Sequence, residues 1–166
     1  MEATVSPTET RSKAGKYLTF KLAAEEYGLE ILKVQEIIQM QAITRIPRTP
    51  EYVRGVINLR GKVIPVVDLR RKFDLDALED TERTCIIVVQ IRSDDHLMIM
   101  GVIIDEVREV LDIPEASIED APAFGASIDT EFILGIGKIG QTVKILLDID
   151  KVLSIQEIQH IASVSA

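Results

Sequence analysis

Residues 55–69 read Gly55-Val56-Ile57-Asn58-Leu59-Arg60-Gly61-Lys62-Val63-Ile64-Pro65-Val66-Val67-Asp68-Leu69. Two β-branched runs, Val56-Ile57 and Val63 to Val67, flank a polar break from Asn58 to Lys62. That pattern predicts two strands and a tight connection. Gly61 takes positive φ at no steric cost, and Asn58 can bond its own backbone in a turn. Arg60 stands at the tip, where packing does not need it, so its side chain is available to a partner. Pro65 has no N–H, which predicts an edge or a bulge rather than a mid-ladder position.

Outward from this stretch, the chain predicts further short strands. Leu18, Phe20 and Leu22 alternate with polar residues, a half-buried strand. Tyr27 to Met40 fits either a helical face or two strands around a turn at Leu32-Lys33. Its Val and Ile content and the lack of a capping residue favour the strands. Thr49-Pro50-Glu51 predicts a short helix, with Thr49 as N-cap and Gly55 as its end. Asp74 to Arg83 reads as an acidic connection. Cys85 to Ile91 and Leu97 to Ile104 read as a hairpin joined by Arg92 to His96, and Val107 to Ile113 as another strand. Pro114 to Ile128 reads as irregular, Glu131 to Gly135 as a turn of helix, and Val143 to Ile149 as a strand. Val152, Leu153, Ile158 and Ile161 lie on one stripe of an expected C-terminal helix. Residues 1–15 are polar and aperiodic, a disordered tail; residues 16–156 form the domain, and 157–166 the helix end and tail.

A chain of 166 residues with a net charge of −8 predicts one domain burying about 70% of its unfolded surface. The negative charge speaks against a general nucleic-acid or acidic-membrane binder. Cys85 is the one cysteine, so no internal disulfide forms and a reducing compartment fits. No apolar run approaches the roughly 20 residues that span a bilayer. The expectation is a soluble cytoplasmic protein without direct membrane insertion.

The chain also repeats itself. Glu51-Tyr52-Val53-Arg54-Gly55 aligns with Glu131-Phe132-Ile133-Leu134-Gly135, and the same offset of 80 sets Val63 on Val143, Asp68 on Asp148 and Leu69 on Ile149. Upstream, Gly28 to Ile37 aligns with Gly101 to Val110, so that Glu36 meets Glu109. A repeated β-rich unit predicts two similar small barrels or curled sheets. The copies differ at the tip, where Arg60 faces Gly140. Charge is segregated as well: eight basic residues lie between Arg45 and Lys72 against Glu51 and Asp68, an excess of six that leaves −14 elsewhere. Two readings stay open, a solvated face or a docking site for an acidic surface.

No pattern of residues supports catalysis, a cofactor or a metal. His96 and His160 lack a Cys or carboxylate at ligand spacing. Cys85 lies in a core-type strand and reads as an inert thiol. Asp94-Asp95 reads as turn chemistry, and Gly135-Ile136-Gly137 is no phosphate loop. Asp68 and Asp148 recur at equivalent strand ends, which favours a structural role such as bonding a loop backbone.

Val34-Gln35-Glu36-Ile37, Arg45 with Pro50, Gly55 to Gly61, Pro65-Val66-Val67-Asp68-Leu69 and Leu147-Asp148-Ile149-Asp150-Lys151 together resemble the CheW family of bacterial chemotaxis coupling proteins. The resemblance covers about Lys16 to Ser154. It implies an all-β fold of two five-stranded SH3-like barrels with a hydrophobic groove between them. It also implies a non-enzymatic adaptor that couples chemoreceptor cytoplasmic tips to the regulatory domain of the histidine kinase CheA, within membrane-associated arrays. On this chain it places receptor binding at Val34, Glu36, Asn58, Leu59, Arg60 and Gly61. Kinase contact is expected at Leu18, Ile31 and Val34. For the apolar members, ordinary core packing is the competing reading. A nucleic-acid-binding barrel using Arg45 to Lys72 lacks an aromatic platform.

Overall fold

The computed structural model describes residues 13–75, 79–93, 96–121 and 131–153. Strands β1 (Gly15–Leu22), β2 (Glu25–Glu30), β3 (Val34–Gln39), β4 (Val53–Leu59), β5 (Lys62–Asp68), β6 (Cys85–Ser93), β7 (His96–Ile104), β8 (Glu106–Ile113), β9 (Ile118–Glu119), β10 (Ile133–Ile139) and β11 (Thr142–Leu147) form two sheets. One has the order β8-β1-β2-β11-β10-β9, the other β3-β6-β7-β5-β4. The all-β class is as expected. A single helical turn, α1 (Leu69–Lys72), and 3₁₀ turns at Ile31–Lys33, Glu115–Ser117 and Ile149–Lys151 complete the described chain.

The two orders are one pattern used twice. β3, β6, β7, β5 and β4 of one sheet stand where β8, β1, β2, β11 and β10 stand in the other. Each sheet therefore draws strands from both sequence repeats. The first repeat contributes β1 and β2 to one sheet and β3 to β5 to the other. Each sheet has one parallel pairing, and the two are equivalent, Val66 with Gly101 and Leu146 with Gly28.

Burial follows from this arrangement. Ile87, Val89 and Ile91 of β6 join Leu18, Phe20, Leu22 and Leu29 in a core between the sheets. Ile86 and Val88 of the same strand face the other way, onto Ile57, Ile64 and Val66. A strand buried on both faces reads as an unbroken apolar run, which is why Cys85 to Val89 does not alternate. Phe20, Tyr27, Phe73 and Phe132 stack in a row through the shared core, with successive ring centroids 6.2, 6.0 and 4.9 Å apart.

Several expectations are corrected. Thr49 caps no helix: its hydroxyl donates back to the Ile46 carbonyl (2.9 Å), a turn follows, and β4 starts at Val53. Glu131 and Phe132 likewise form a turn before β10 rather than a helix. Gly55 sits inside β4 at a bulge, with φ of 139°. A Cβ there would lie 2.0 Å from the Thr44 carbonyl oxygen, and Thr44 crosses β4 to exchange both backbone hydrogen bonds with Val56 (2.9 Å each). Pro65 is in an interior strand, not at an edge or a bulge. It tolerates that place because its partner Val56 bonds Thr44 instead, and the ladder to β7 begins only at Val66. Lys13, the first described residue, holds Asp120 with its ammonium at 2.9 Å. The stripe expected beyond Leu153, with His160, and the Asp94-Asp95 tip lie outside the described residues.

Candidate functional site

The β4–β5 hairpin turns on Arg60 and Gly61, with φ of 51° and 89°. Two positive φ values are the sign pattern of a type I′ turn, whose twist matches that of the flanking strands. Asn58 closes it by accepting the Gly61 N–H on Oδ1 at 2.7 Å. In the second hairpin only Gly140 has positive φ, the pattern of a type II′ turn.

The turn aims Arg60 at β3. Its guanidinium makes a two-pronged contact to the Glu36 carboxylate, Nη1 to Oε1 at 3.1 Å and Nη2 to Oε2. The hydrogen bonds and charge of Arg60 hold the Glu36 carboxyl below the usual carboxylate range. Arg60 remains 65% exposed and Glu36 28%, so the pair is presented to solvent. The structure thus joins two residues that are 24 positions apart in the chain.

The other expected residues divide. Asn58 and Gly61 are exposed beside Arg60, and Leu59 packs partly on the small core of its sheet. Val34 shares β3 with Glu36 but leans on the shared core, as does Ile31. Leu18 is 2% exposed and lies inside that core. A side chain so placed cannot touch a partner while the fold is intact, so direct kinase contact through Leu18 is replaced by a core role. Beside Ile31, Leu32 is 92% exposed. No periodicity marks Leu32, because it sits on a 3₁₀ turn between strands. Val63 and Val143, equivalent positions on the two hairpins, are 54% and 52% exposed.

At the end of the β4–β5 hairpin opposite the tip lies a buried ion cluster that sequence reading missed. Arg70 is 1% exposed. It donates to Asp68 from Nε and Nη2 (both 3.0 Å), to Asp80 (3.1 Å) and to Asp105 (2.9 Å). Burial works against its charge, but these carboxylates outweigh it and raise the guanidinium pKa. Arg54 adds bonds to Asp68 (3.1 Å) and Asp80 (3.2 Å). Asp68 also caps α1 by accepting the Arg70 N–H at 3.0 Å, and Asp148 accepts the Asp150 N–H at 3.2 Å in the second copy. Both recurring aspartates are structural, as their recurrence implied. Cys85 is half-buried, and burial pushes its thiol pKa up, away from a reactive thiolate. Among the described residues no group of His, Cys, Asp and Glu could hold a metal ion.

A family model described as the CheW-like domain matches residues 16–157. The chain belongs to the CheW family. The chemotaxis protein CheW of Klebsiella aerogenes is 38% identical over 98% of this chain and 96% of its own length. That of Treponema pallidum is 31% identical over 95% and 92%. The crystal structure of the scaffolding protein TtCheW from Thermoanaerobacter tengcongensis superposes with a TM-score of 0.77 at 38% identity, covering 87% of this chain and 95% of that one.

Proposed function

We propose that this chain is a non-enzymatic chemotaxis scaffold that couples transmembrane chemoreceptors to the histidine kinase CheA in signalling arrays. The observation that carries the reading is the Arg60–Glu36 pair, held in solvent by a strained two-residue turn. A largely solvent-facing pair between a hairpin tip and β3 is worth little to the fold, so its fixed geometry is better explained by a partner. Val34, Glu36, Asn58, Leu59, Arg60 and Gly61 form the receptor face, with Asn58 acting through the turn rather than by contact. Ile31 and Val34, joined by the exposed Leu32, face the kinase regulatory domain. Among the described residues no helix is long and apolar enough to cross a membrane, and the chain is recruited to arrays from the cytoplasm through its partners.

The test is a pull-down of this chain and its Arg60→Ala variant with a CheA regulatory domain and a receptor cytoplasmic fragment. Wild type binds both; the variant loses the receptor alone, by about thirtyfold, the size of one interface hot spot. Retention of receptor binding by the variant refutes the assigned face. Failure of wild type to bind either partner refutes the coupling role.

A further inference from the structure

Placing the side chains changes what the basic segment means. Arg54 and Arg70 are neutralised by Asp68, Asp80 and Asp105, and Arg60 by Glu36. Lys72 lies over the Tyr52 ring, its Nζ 4.8 Å from the centroid. Arg45, like Arg48 and Lys62, is exposed and has no side-chain hydrogen bond or ion pair among the described residues. It lines an open cleft of about 700 Å³ together with Arg54, Arg71, Glu51, Asp80 and Val53. Arg71 is only loosely held, 3.8 Å from the 86%-exposed Glu51 and 3.7 Å from Asp68.

We propose that this cleft docks a single Asp or Glu side chain of a protein partner. Arg45 and Arg71 present forked donors that match a carboxylate two bonds at a time. The apolar wall of Val53, Met40 and Ile43 receives the stem of the incoming side chain. Asp80 and Glu51 at the same cleft repel a second negative charge nearby. They therefore select one carboxylate over a phosphate string or a nucleic acid. The net charge of −14 outside residues 45–72 works in the same direction. The inference does not depend on the coupling role, and its test reads the cleft without either proposed partner.

The experiment is an NMR titration of the full chain at fixed ionic strength, following the arginine Nε–H signals. The probes are a capped Gly-Glu-Gly peptide, its Gly-Gln-Gly counterpart and inorganic phosphate. Saturable shifts of Arg45 and Arg71 with the Glu peptide alone, while the buried Arg70 stays still, are expected. Arg45→Gln and Arg71→Gln each weaken that binding about tenfold, the loss of roughly one charge-assisted hydrogen bond. Arg45 is exposed, so its variant keeps the parent spectrum elsewhere. Shifts that never saturate, equal shifts with the Gln peptide, or parent-like binding by Arg45→Gln overturn the site. Tighter binding of phosphate overturns the carboxylate assignment. Shifts that track protein concentration without peptide assign the cleft to a second copy of this chain and overturn the partner.

Discussion

Arg60 is held at φ of 51°, a region that disfavours side chains with a Cβ. Glycine suits both central positions of a type I′ turn better. Arg60→Gly therefore melts at or above the parent temperature, while receptor-fragment binding falls about thirtyfold. Thermal unfolding and the pull-down separate the two effects, and a variant that loses stability and binding together sinks the argument. Asn58 is a turn residue: Asn58→Ala loses the bond to the Gly61 N–H and about 1 kcal/mol in urea unfolding, whereas Asn58→Asp keeps the acceptor. The pair's response to acid follows from its sign. Arg60 lowers the Glu36 pKa, so the contact is fully present above the ordinary value near 4.3 and is lost only as pH falls through the lower folded value. Receptor binding is accordingly flat from about pH 6 to 8 as far as this pair decides it. Arg60 at a tip was legible because turn chemistry is local. Glu36 as its partner was not, because nothing within 24 residues of chain encodes the approach of β3 to that tip.

At the level of elements, two glycines of the first hairpin share positive φ but not their surroundings. Gly61 has nothing within 4 Å of an added Cβ, and Gly55 has the Thr44 carbonyl oxygen at 2.0 Å. Gly61→Ala costs about 1 kcal/mol, from backbone strain alone. Gly55→Ala costs about 3 kcal/mol or more, because strain is joined by a backbone clash and the loss of the Thr44–Val56 crossing. Urea unfolding of the two variants checks the order; equal losses show that the crossing does not hold Gly55 in place. The same crossing explains the misread helix. Thr49-Pro50-Glu51 carries genuine helix-start chemistry, but Gly55 four residues on is fixed in a β-bulge, leaving room for one turn only.

Across the whole molecule, Arg70 ties α1 to Asp105, and Asp105 in turn accepts the Ala23 N–H of the other sheet's β1–β2 turn at 2.7 Å. Removing one member of a buried cluster strands the rest. Arg70→Met thus costs about 3 kcal/mol, and Arg54→Met, whose side chain is 26% exposed, about 1 kcal/mol; a smaller loss for Arg70→Met than for Arg54→Met in urea unfolding contradicts the pin. Asp80 is pushed up by burial, but hydrogen bonds from Arg70 and Arg54 outweigh that and leave its pKa lowered. Its stabilisation is therefore present above the ordinary carboxylate value near 3.9 and is lost as pH falls through the lower folded one, so acid unfolding by this group begins below about pH 4. In the second copy the position of Arg70 is Asp150, paired with Lys33 at 2.6 Å, a bridge of the same kind with its charges reversed.

The sequence by itself determined the all-β class, the β4–β5 hairpin with its turn chemistry, the β6–β7 hairpin and the structural role of Asp68 and Asp148. Each depends on residues a few positions apart, through alternation, positive φ or a side chain reaching its own backbone. Only the tertiary structure decided that the two repeats interleave their strands, that Arg70 is buried while Arg45 is exposed, that Leu18 is core, and that Arg60 meets Glu36. Those outcomes depend on which apolar faces bury against each other across long loops, and local pattern carries no record of that choice.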